Sequence, residues 1–395
     1  MNLESRKLDF GFFGEKKTAL EALQFNRPLI LNPALSTVYP MKNRDQLLKI
    51  IAGREKGIMA ALVRLGLSCM TPLYRMAVGH RNRRFDRAIA QNNTEVVKQA
   101  SIPVISVGNL TTGGTGKTPL VIWIARKLRQ DQRRVVLISR GYRADGDSSQ
   151  RNDEAIEMED RLADVPHLQD PDRFRMSQIA VEELESQIIV LDDGFQHRQL
   201  HRDLDIVLVD ATNPLGYGRL LPRGLLREPA SNLARADFIV LTRVNLIESG
   251  QSEAILGRIA KLAPGIPVAT TKTGFTHLLQ SDGTQFDLDT ISGNPIFIFC
   301  GIGNPENFST SLAKIDLQVC GQAFFPDHHH YTREELEDVA DQARQAGATA
   351  LVCTHKDLVK IGTNRIGSLP VYAILIDVEF VSGQESFAAA ISRVH

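Results

Sequence analysis

Apolar and polar positions alternate along the chain in two distinct rhythms. Between about residues 103 and 275, short runs of β-branched and other apolar residues are separated by stretches with helical periodicity. The runs are typical of buried strands, and the longer stretches are typical of amphipathic helices. Their alternation predicts an α/β fold built on a doubly wound, mostly parallel sheet. The predicted strands of this region lie at 104–107, 135–142, 188–191, 205–210 and 238–242.

The pattern changes near the end of this region. Residues 274–294 are polar and loop-like, and an apolar run at 296–300 begins a second series of predicted strands and helices. We therefore predict two α/β units joined by a loop. The larger unit covers 101–290, and a smaller C-terminal unit covers 291–395.

The chain before residue 101 has a different character. Residues 1–45 show no clear periodicity and form an extension of unknown role, whereas residues 46–100 are helical in pattern. Arginines interrupt the apolar positions and Pro72 is expected to break the helix, so the region is a poor membrane span. Its apolar face and basic flanks suit an amphipathic helix lying on an anionic membrane surface, although packing on the protein's own core would produce the same pattern. The apolar positions are Ile58, Met59, Leu62, Leu65, Leu67, Met70, Leu73, Met76 and Val78.

Composition adds little to this picture. The chain has 395 residues with 46 Lys and Arg against 46 Asp and Glu, so its overall charge gives no reason to expect a nucleic-acid partner. The N-terminus lacks the order of charged, apolar and cleavage regions that marks a signal peptide. We expect the protein in the cytoplasm or on the cytoplasmic face of the membrane. Its four cysteines are far apart and are expected to be reduced thiols: Cys69, Cys300, Cys320 and Cys353.

A glycine-rich loop follows the first predicted strand of the larger unit. It leads into a helical pattern through Lys117, Thr118 and Pro119, which gives the order strand, loop and helix of a phosphate-binding loop. Glycines allow main-chain N–H groups to approach phosphate oxygens, the lysine can reach the terminal phosphates, and the threonine hydroxyl can hold Mg²⁺. Thr111 stands where the strict motif has its first glycine, and an ordinary glycine-rich turn is the alternative. The predicted nucleotide-binding residues are Gly113, Gly114, Thr115, Gly116, Lys117 and Thr118.

Two carboxylates end a later strand of the same unit. Asp192 and Asp193 follow the apolar run at 188–191. A carboxylate at a strand tip beside a phosphate loop commonly holds Mg²⁺, although aspartate also begins ordinary turns. Because Lys117 and Thr118 precede them in the same alternation of strands and helices, we predict a magnesium site formed by Thr118, Asp192 and Asp193.

Several arginines are candidates for binding an anionic substrate. Arg140 closes the predicted strand at 135–142, at the end where open α/β sheets bind ligands. Arg219, Arg223 and Arg227 lie in a loop rich in glycine, proline and leucine that could meet something both anionic and apolar. For all four, an ordinary solvated surface position is the alternative that the sequence leaves open.

A histidine cluster precedes a helix in the C-terminal unit. Thr332 and Glu335 form a capping-box pattern, so the helix starts at a defined angle and the cluster lies just outside it. Consecutive side chains point in different directions, which makes a zinc site less favoured than a catalytic or supporting histidine. The cluster consists of Asp327, His328, His329 and His330.

Together these segments resemble the tetraacyldisaccharide 4′-kinase family, the lipid A 4′-kinases of Gram-negative bacteria. The resemblance covers about residues 50 to 380, and it is specific because many motifs occur in the same order. The matching motifs are S-V-G-N-L-T-T-G-G-T-G-K-T-P, S-R-G-Y, N-D-E, D-D-G-F-Q-H, G-R-L-L-P-R-G-L-L-R-E-P, G-I-G-N-P-E, F-P-D-H-H and T-H-K-D.

The resemblance implies a P-loop kinase domain that uses ATP and Mg²⁺ to phosphorylate the 4′-hydroxyl of a tetraacyldisaccharide 1-phosphate in lipid A biosynthesis. It implies that Asp153 acts as base on the sugar hydroxyl and that His328 supports it. With the loop lysine Lys117, they are the predicted catalytic residues. The expected partners are this lipid precursor and a membrane surface, at the cytoplasmic face of the inner membrane. No nucleic acid and no obligate protein partner are expected.

The chain departs from the family pattern in three places. Asn152 replaces the usual glycine before Asp153, the loop between Tyr142 and Asp153 is short, and His355 replaces the glutamate of T-E-K-D. The alternative function from a different class is a P-loop switch or chaperone-type NTPase acting on a protein partner. Such a protein would hydrolyse nucleotide without any lipid acceptor.

Overall fold

The computed structural model describes residues 29–30, 37–38, 44–141, 153–303, 305–315, 317–327 and 329–395. Apart from two short strands and the start of the first helix, the predicted extension over 1–45 lies outside these residues. The strands are β1 (Leu29–Ile30), β2 (Thr37–Val38), β3 (Val104–Asn109), β4 (Val135–Ser139), β5 (His167–Gln169), β6 (Ile188–Asp192), β7 (Leu204–Asp210), β8 (Phe238–Thr242), β9 (Val268–Leu279), β10 (Gln285–Phe286), β11 (Pro295–Cys300), β12 (Gln318–Phe324), β13 (Ala350–Thr354), β14 (Arg365–Ile366) and β15 (Leu369–Ser382). The α-helices are α1 (Arg44–Ile51), α2 (Ile58–Ala90), α3 (Lys117–Gln130), α4 (Asp153–Arg161), α5 (Arg173–Glu182), α6 (Gln251–Leu262), α7 (Pro305–Ala313), α8 (Arg333–Gln345), α9 (His355–Ile361) and α10 (Gln384–Ser392).

The strands form one continuous sheet in the order β1-β2-β12-β11-β13-β15-β9-β8-β7-β3-β6-β4-β5. Most neighbouring pairs are parallel, and the antiparallel exceptions are β1 with β2, β15 with β9, and the short β10 and β14 with their neighbours. The predicted mostly parallel α/β fold is therefore confirmed. Central strands such as β4, β6 and β8 are almost entirely apolar, because helices cover both faces of a parallel sheet.

The strand order reverses at β3. This strand lies between β6 and β7, and its parallel register sets Val107 opposite Asp192. The carboxyl ends of β3 and β6 therefore meet at the same edge of the sheet. Ligands of open α/β sheets bind at such a reversal point, which places the glycine-rich loop and the paired aspartates together.

Two long strands join the predicted units. β9 pairs antiparallel with β15 from Leu279 opposite Ala373 to Thr270 opposite Ser382, and its first residues also pair with β8. Residues 274–279, expected to be loop, continue β9 because this pairing satisfies their main-chain hydrogen bonds. Strands from both sides of residue 290 thus share one sheet, and the boundary placed there stays a prediction.

The N-terminal helical region is dominated by α2, which spans 33 residues. The expected break at Pro72 does not occur, and the helix continues through it. A proline inside a helix removes one main-chain donor and costs about 3 kcal/mol, which the remaining turns and the packing of the inner face outweigh. Within the part of the chain that the structure describes, no helix is both long enough and apolar enough to cross a membrane.

Candidate active site

The predicted phosphate-binding loop connects β3 to α3. β3 is buried along its whole length, and Lys117 is the first residue of α3, two positions earlier than the proline that was expected to open it. Gly113 and Gly116 have φ angles of 109° and 84°, in the left-handed region that favours glycine. A glycine loop that ends at a helix N-terminus offers N–H groups and positive partial charge to an anion.

The last residue of β8 and the residue that follows it form hydrogen bonds to this loop. The Thr242 hydroxyl donates to the main-chain oxygen of Thr115 at 2.9 Å. The Arg243 guanidinium donates to the main-chain oxygen of Gly114 at 2.8 Å and forms an ion pair with Asp210 at the end of β7. Sequence reasoning missed Arg243, because its function depends on the parallel pairing of β7 and β8.

Lys117 points toward the paired aspartates. Its Nζ atom lies 3.5 Å from Asp193 Oδ1 and 3.4 Å from Asn109 Oδ1. Asn109 is itself buried and donates to the main-chain oxygen of Thr111 at 2.9 Å, so the lysine rests on fixed partners. The structure thus brings the loop lysine and the predicted metal carboxylate together.

Asp193 receives a second positive charge. The Nη1 atom of Arg227 lies 2.8 Å and 3.0 Å from its two carboxylate oxygens. Burial by itself would raise the pKa of Asp193, but the charges of Lys117 and Arg227 outweigh it, so this pKa lies below its ordinary value. Asp193 is therefore ionised at neutral pH. Its neighbour Asp192, the last residue of β6, is buried.

A second arginine beside Asp193 was not anticipated from the sequence. Arg173 begins α5, is only 3% exposed, and donates through Nη1 to the main-chain oxygen of Asp193 at 3.2 Å. Burial lowers its pKa, while Asp193 and Asp192 oppose that shift. The available signal was its place at a helix start after a strand, directly behind the capping Asp172.

The other predicted arginines lie in two separate places. Arg140 is exposed after β4. Burial is the main cause that lowers the pKa values of Arg173 and His197, and the charge of Arg140 lowers both further. The pKa of His197 is about 4. Arg223 lies beside the N-terminal helices, where its guanidinium donates to the main-chain oxygen of Ile51 at 2.9 Å. Arg219 is exposed near it. Substrate binding by these arginines and by Arg227 stays a prediction.

A cavity of about 460 Å³ lies between the phosphate loop and the C-terminal half of the sheet. Its lining includes Lys117 and Thr118 on one side and Gly303 and Asp327 on the other. Leu48 of α1 also contributes, so the cavity extends from the phosphate loop to the N-terminal helical region.

The two residues with catalytic roles implied by the family resemblance are Asp153 and His328. Asp153 begins α4, and Glu157 of the same helix lines the cavity, but the side chain of Asp153 and the whole of His328 lie outside the described residues. The neighbouring Asp327 lines the cavity. The predicted roles of Asp153 and His328 therefore stay predictions.

His329 of the histidine cluster packs against an aromatic ring and contacts a carboxylate of the following helix. His329 stacks on Phe325 at 4.9 Å between ring centroids, and its Nε2 atom lies 2.9 Å from Glu335 Oε2. Thr332 and Glu335 form the predicted capping box at the start of α8. In the described ranges, no group of three or more histidines, cysteines or carboxylates is arranged to hold a metal ion.

His355, one of the departures from the family pattern, contacts the helix that begins with Asp153. It is buried and its Nε2 atom lies 3.4 Å from Asp160 Oδ2. Burial lowers its pKa, and the nearby carboxylates of Glu157 and Asp160 oppose that shift. His355 therefore joins α9 to α4 beside the cavity.

A mostly parallel sheet with a glycine loop, a loop lysine and paired aspartates at its reversal point defines a P-loop nucleotide-binding protein. Residues 63–395 match the family described as Tetraacyldisaccharide-1-P 4′-kinase. The chain belongs to this family and is a kinase of this kind. The alternative of a P-loop switch or chaperone-type NTPase is not favoured.

Individual relatives agree with this assignment. The chain is 34% identical over 353 residues to the tetraacyldisaccharide 4′-kinase of Halothermothrix orenii, covering 82% of this chain and 90% of the relative. It is 35% identical over 345 residues to that of Geobacter sulfurreducens, covering 84% and 93%. It is also similar to the crystal structure of LpxK from Aquifex aeolicus in complex with ATP, with a TM-score of 0.66 and 30% identity over 84% of this chain and 99% of that one.

Proposed function

We propose that this kinase transfers the terminal phosphoryl group of ATP to the 4′-hydroxyl of a tetraacyldisaccharide 1-phosphate at the cytoplasmic face of the inner membrane. One observation carries the proposal: a single cavity is lined by Lys117 of the phosphate loop and by Leu48 of the N-terminal helical region. A phosphoryl donor bound at the loop would therefore lie near the part of the protein that meets lipid. The kinase family and the relative bound to ATP support the same reaction.

The residues at the end of the loop suit a magnesium ion. Thr118, Asp192 and Asp193 offer only oxygen ligands, and one or two carboxylates together with nucleotide phosphates form a usual Mg²⁺ site in kinases. When bound, Mg²⁺ would neutralise negative charge on the phosphates. The low pKa of Asp193 supports this assignment, because an ionised carboxylate is the form that binds metal.

The protein's own positive charges would complete the donor site. Lys117 is within reach of phosphates on the loop, and Arg227 and Arg173 contact Asp193. Phosphoryl transfer needs mainly positioning and stabilisation of charge on the phosphoryl oxygens. These three groups supply both, because each is held by a defined protein contact.

The acceptor hydroxyl requires a proton acceptor. We assign this role to Asp153, with His328 in support, on the basis of the family motifs that they match. The position of α4 supports the assignment, since the helix starts with Asp153 and Glu157 lines the cavity. A carboxylate at the sugar hydroxyl would take its proton as the phosphoryl group arrives.

The acceptor lipid carries a phosphate and acyl chains, and the surface near α2 offers groups for both. Arg219 and Arg64 lie close enough to Arg223 that their charges help to lower its pKa, after burial as the larger cause. Three like charges in one place favour an anionic ligand. We propose that Arg219 and Arg223 bind a phosphate of the lipid, and that Arg140 contacts its sugar or phosphate from the side of the aspartates. Arg227, also predicted to bind substrate, is held on Asp193, and we assign it to the donor site.

The outer face of α2 suits a membrane surface. Its large apolar side chains are 55 to 81% exposed, and basic residues follow them on the same helix. An apolar stripe beside arginines is the pattern of a helix that lies in the headgroup region of an anionic bilayer. The exposed apolar residues are Ile58, Met59, Leu62, Leu65, Met70, Leu73 and Met76, and exposed arginines follow at Arg83, Arg84 and Arg87.

Transfer to lipid is the test of this function. The purified chain should move label from γ-labelled ATP to a tetraacyldisaccharide 1-phosphate in mixed micelles when Mg²⁺ is present. The 1,4′-bisphosphate is the matched control acceptor, because its 4′-position is already occupied and it should take up no label. Rapid release of inorganic phosphate without lipid, with no labelled lipid formed, would contradict the proposal and favour an NTPase.

Replacing Leu65 by aspartate tests the membrane surface. Each large apolar side chain buried in lipid contributes about 1.5–3 kcal/mol, so we expect Leu65→Asp to bind anionic vesicles about tenfold more weakly in a sedimentation assay. The fold should survive, because Leu65 is exposed. Val381→Asp is the matched control, since Val381 is an exposed apolar residue at the end of β15, outside α2. Equal vesicle binding by both variants and the parent would show that α2 is not the membrane contact.

A further inference from the structure

The helix with the apolar outer face makes two defined contacts on its inner side. Tyr74 Oη donates to the main-chain oxygen of Arg227 at 2.9 Å, and Asn82 Nδ2 donates to Glu228 Oε2 at 2.9 Å. Tyr74 and Asn82 are eight residues apart and therefore lie on the same side of the helix. The two contacts are made to consecutive residues, Arg227 and Glu228, of the loop that also carries Arg219 and Arg223.

Glu228 fixes this attachment. Its side chain is fully buried and is surrounded by positive and polar groups, so its charge is compensated. Arg81 Nη2 lies 3.3 Å from one oxygen, while Arg235 Nη2 and Asn232 Nδ2 lie 2.9 Å and 2.7 Å from the other. A buried carboxylate with this many partners cannot shift along the helix without losing them. The loop is therefore held at a defined place on α2.

The same loop residue reaches the nucleotide site. The main-chain nitrogen of Arg227 donates to the oxygen of Leu110, which follows β3 in the phosphate loop, at 2.8 Å. Its guanidinium contacts both carboxylate oxygens of Asp193 and the side-chain oxygen of Gln196. Arg227 thus connects α2, through its main-chain oxygen, with the phosphate loop and the metal carboxylate.

We propose that Tyr74 is a positioning residue for phosphoryl transfer. By holding the Arg227 main chain, its hydroxyl keeps the guanidinium on Asp193, so the placement of α2 on a lipid surface and the orientation of the nucleotide site are coupled. This inference rests on the proposed function, because it requires that α2 meets lipid. Leu73, the residue before Tyr74, is exposed on the outer side, so adjacent side chains of one helix face the lipid and the loop.

The experiment compares two variants with the parent chain in the lipid phosphorylation assay. Tyr74→Phe removes only the hydroxyl, and we expect kcat to fall about fivefold to tenfold with an unchanged KM for lipid. Ser68→Ala is the matched control, because it removes a hydroxyl of the same helix whose hydrogen bond lies within that helix, to the Arg64 main-chain oxygen. Ser68→Ala should keep the parent kcat. Melting temperatures establish that each variant is folded.

A double-mutant cycle identifies the path of the effect. If the hydroxyl acts through Arg227, then Tyr74→Phe combined with Arg227→Ala should be no slower than Arg227→Ala alone. If the kcat of the double variant fell by the product of the two single reductions, the proposal would be overturned. A Tyr74→Phe variant that changes only KM or only the melting temperature would also overturn it. Failure of the parent chain to label the lipid would refute the proposed function itself, and it would be seen before any variant is measured.

Discussion

Lys117→Ala should lower kcat for lipid phosphorylation by about 10²- to 10³-fold, the cost of removing one charged or hydrogen-bonding group that stabilises a transition state. Lys117 is the only residue of the predicted nucleotide-binding set that brings a positive side chain to Asp193, at 3.5 Å. Its loss leaves the phosphoryl oxygens with fewer positive partners as charge redistributes during transfer. The measurement is steady-state labelling of the lipid at saturating ATP and Mg²⁺.

Lys127→Ala is the matched control for this variant. Lys127 lies on the same helix, α3, near its C-terminal end, where it forms an ion pair with Asp131. A partly exposed ion pair of this kind contributes little to stability, so kcat should remain at the parent value. A Lys117→Ala variant as active as Lys127→Ala would exclude the loop lysine from the transfer step.

Asp153→Asn should lower kcat by about 10²- to 10⁴-fold, the usual contribution of a general base. Asparagine has nearly the shape of aspartate but cannot take the hydroxyl proton. Because Asp153 begins α4, is not part of the phosphate-loop motif and is proposed to act on the sugar hydroxyl, the affinity for ATP should stay within about twofold. The two variants are therefore distinguished by nucleotide binding, which Lys117→Ala should weaken.

The matched control for this variant is Asp164→Asn, a surface carboxylate just beyond α4 that pairs with Arg129. It should keep the parent kcat. If Asp153→Asn also turned over at the parent rate, the proton would have to go to another group, and the base assignment would be wrong. A melting temperature near that of the parent is required before either rate is interpreted.

The central strands were readily predicted because most of their residues are apolar or β-branched. β3, β6, β7 and β8 are buried along their lengths, as strands covered on both faces by helices must be. β9 is not among the predicted strands, because polar residues such as Lys272 and His277 interrupt it. Its later residues are strand through pairing with β15, nearly one hundred residues away in the chain.

Some residues of the site were predicted and others were not, because only some of them belong to a local sequence motif. Lys117 and Thr118 belong to a local motif whose spacing reflects phosphate geometry, so the sequence alone identifies them. Arg173 and Arg243 belong to no local motif. They contribute because strand pairing brings α5 to Asp193 and β8 beneath the phosphate loop.

The N-terminal helix shows the difference most clearly. Its apolar positions and basic residues predicted an amphipathic helix but left open whether its apolar face packs on the protein or meets a membrane. Only the tertiary structure distinguishes its two sides, since Tyr74 and Asn82 bond to Arg227 and Glu228 while Leu65 and Leu73 remain exposed.

The sequence by itself determined the family, the alternation of strands and helices, and the donor loop, because each depends on residues that are close together in the chain. The tertiary structure decided which arginines reach Asp193 and how α2 is joined to the nucleotide site. Those contacts join residues that are far apart in the chain and belong to no shared motif, so periodicity and spacing do not predict them.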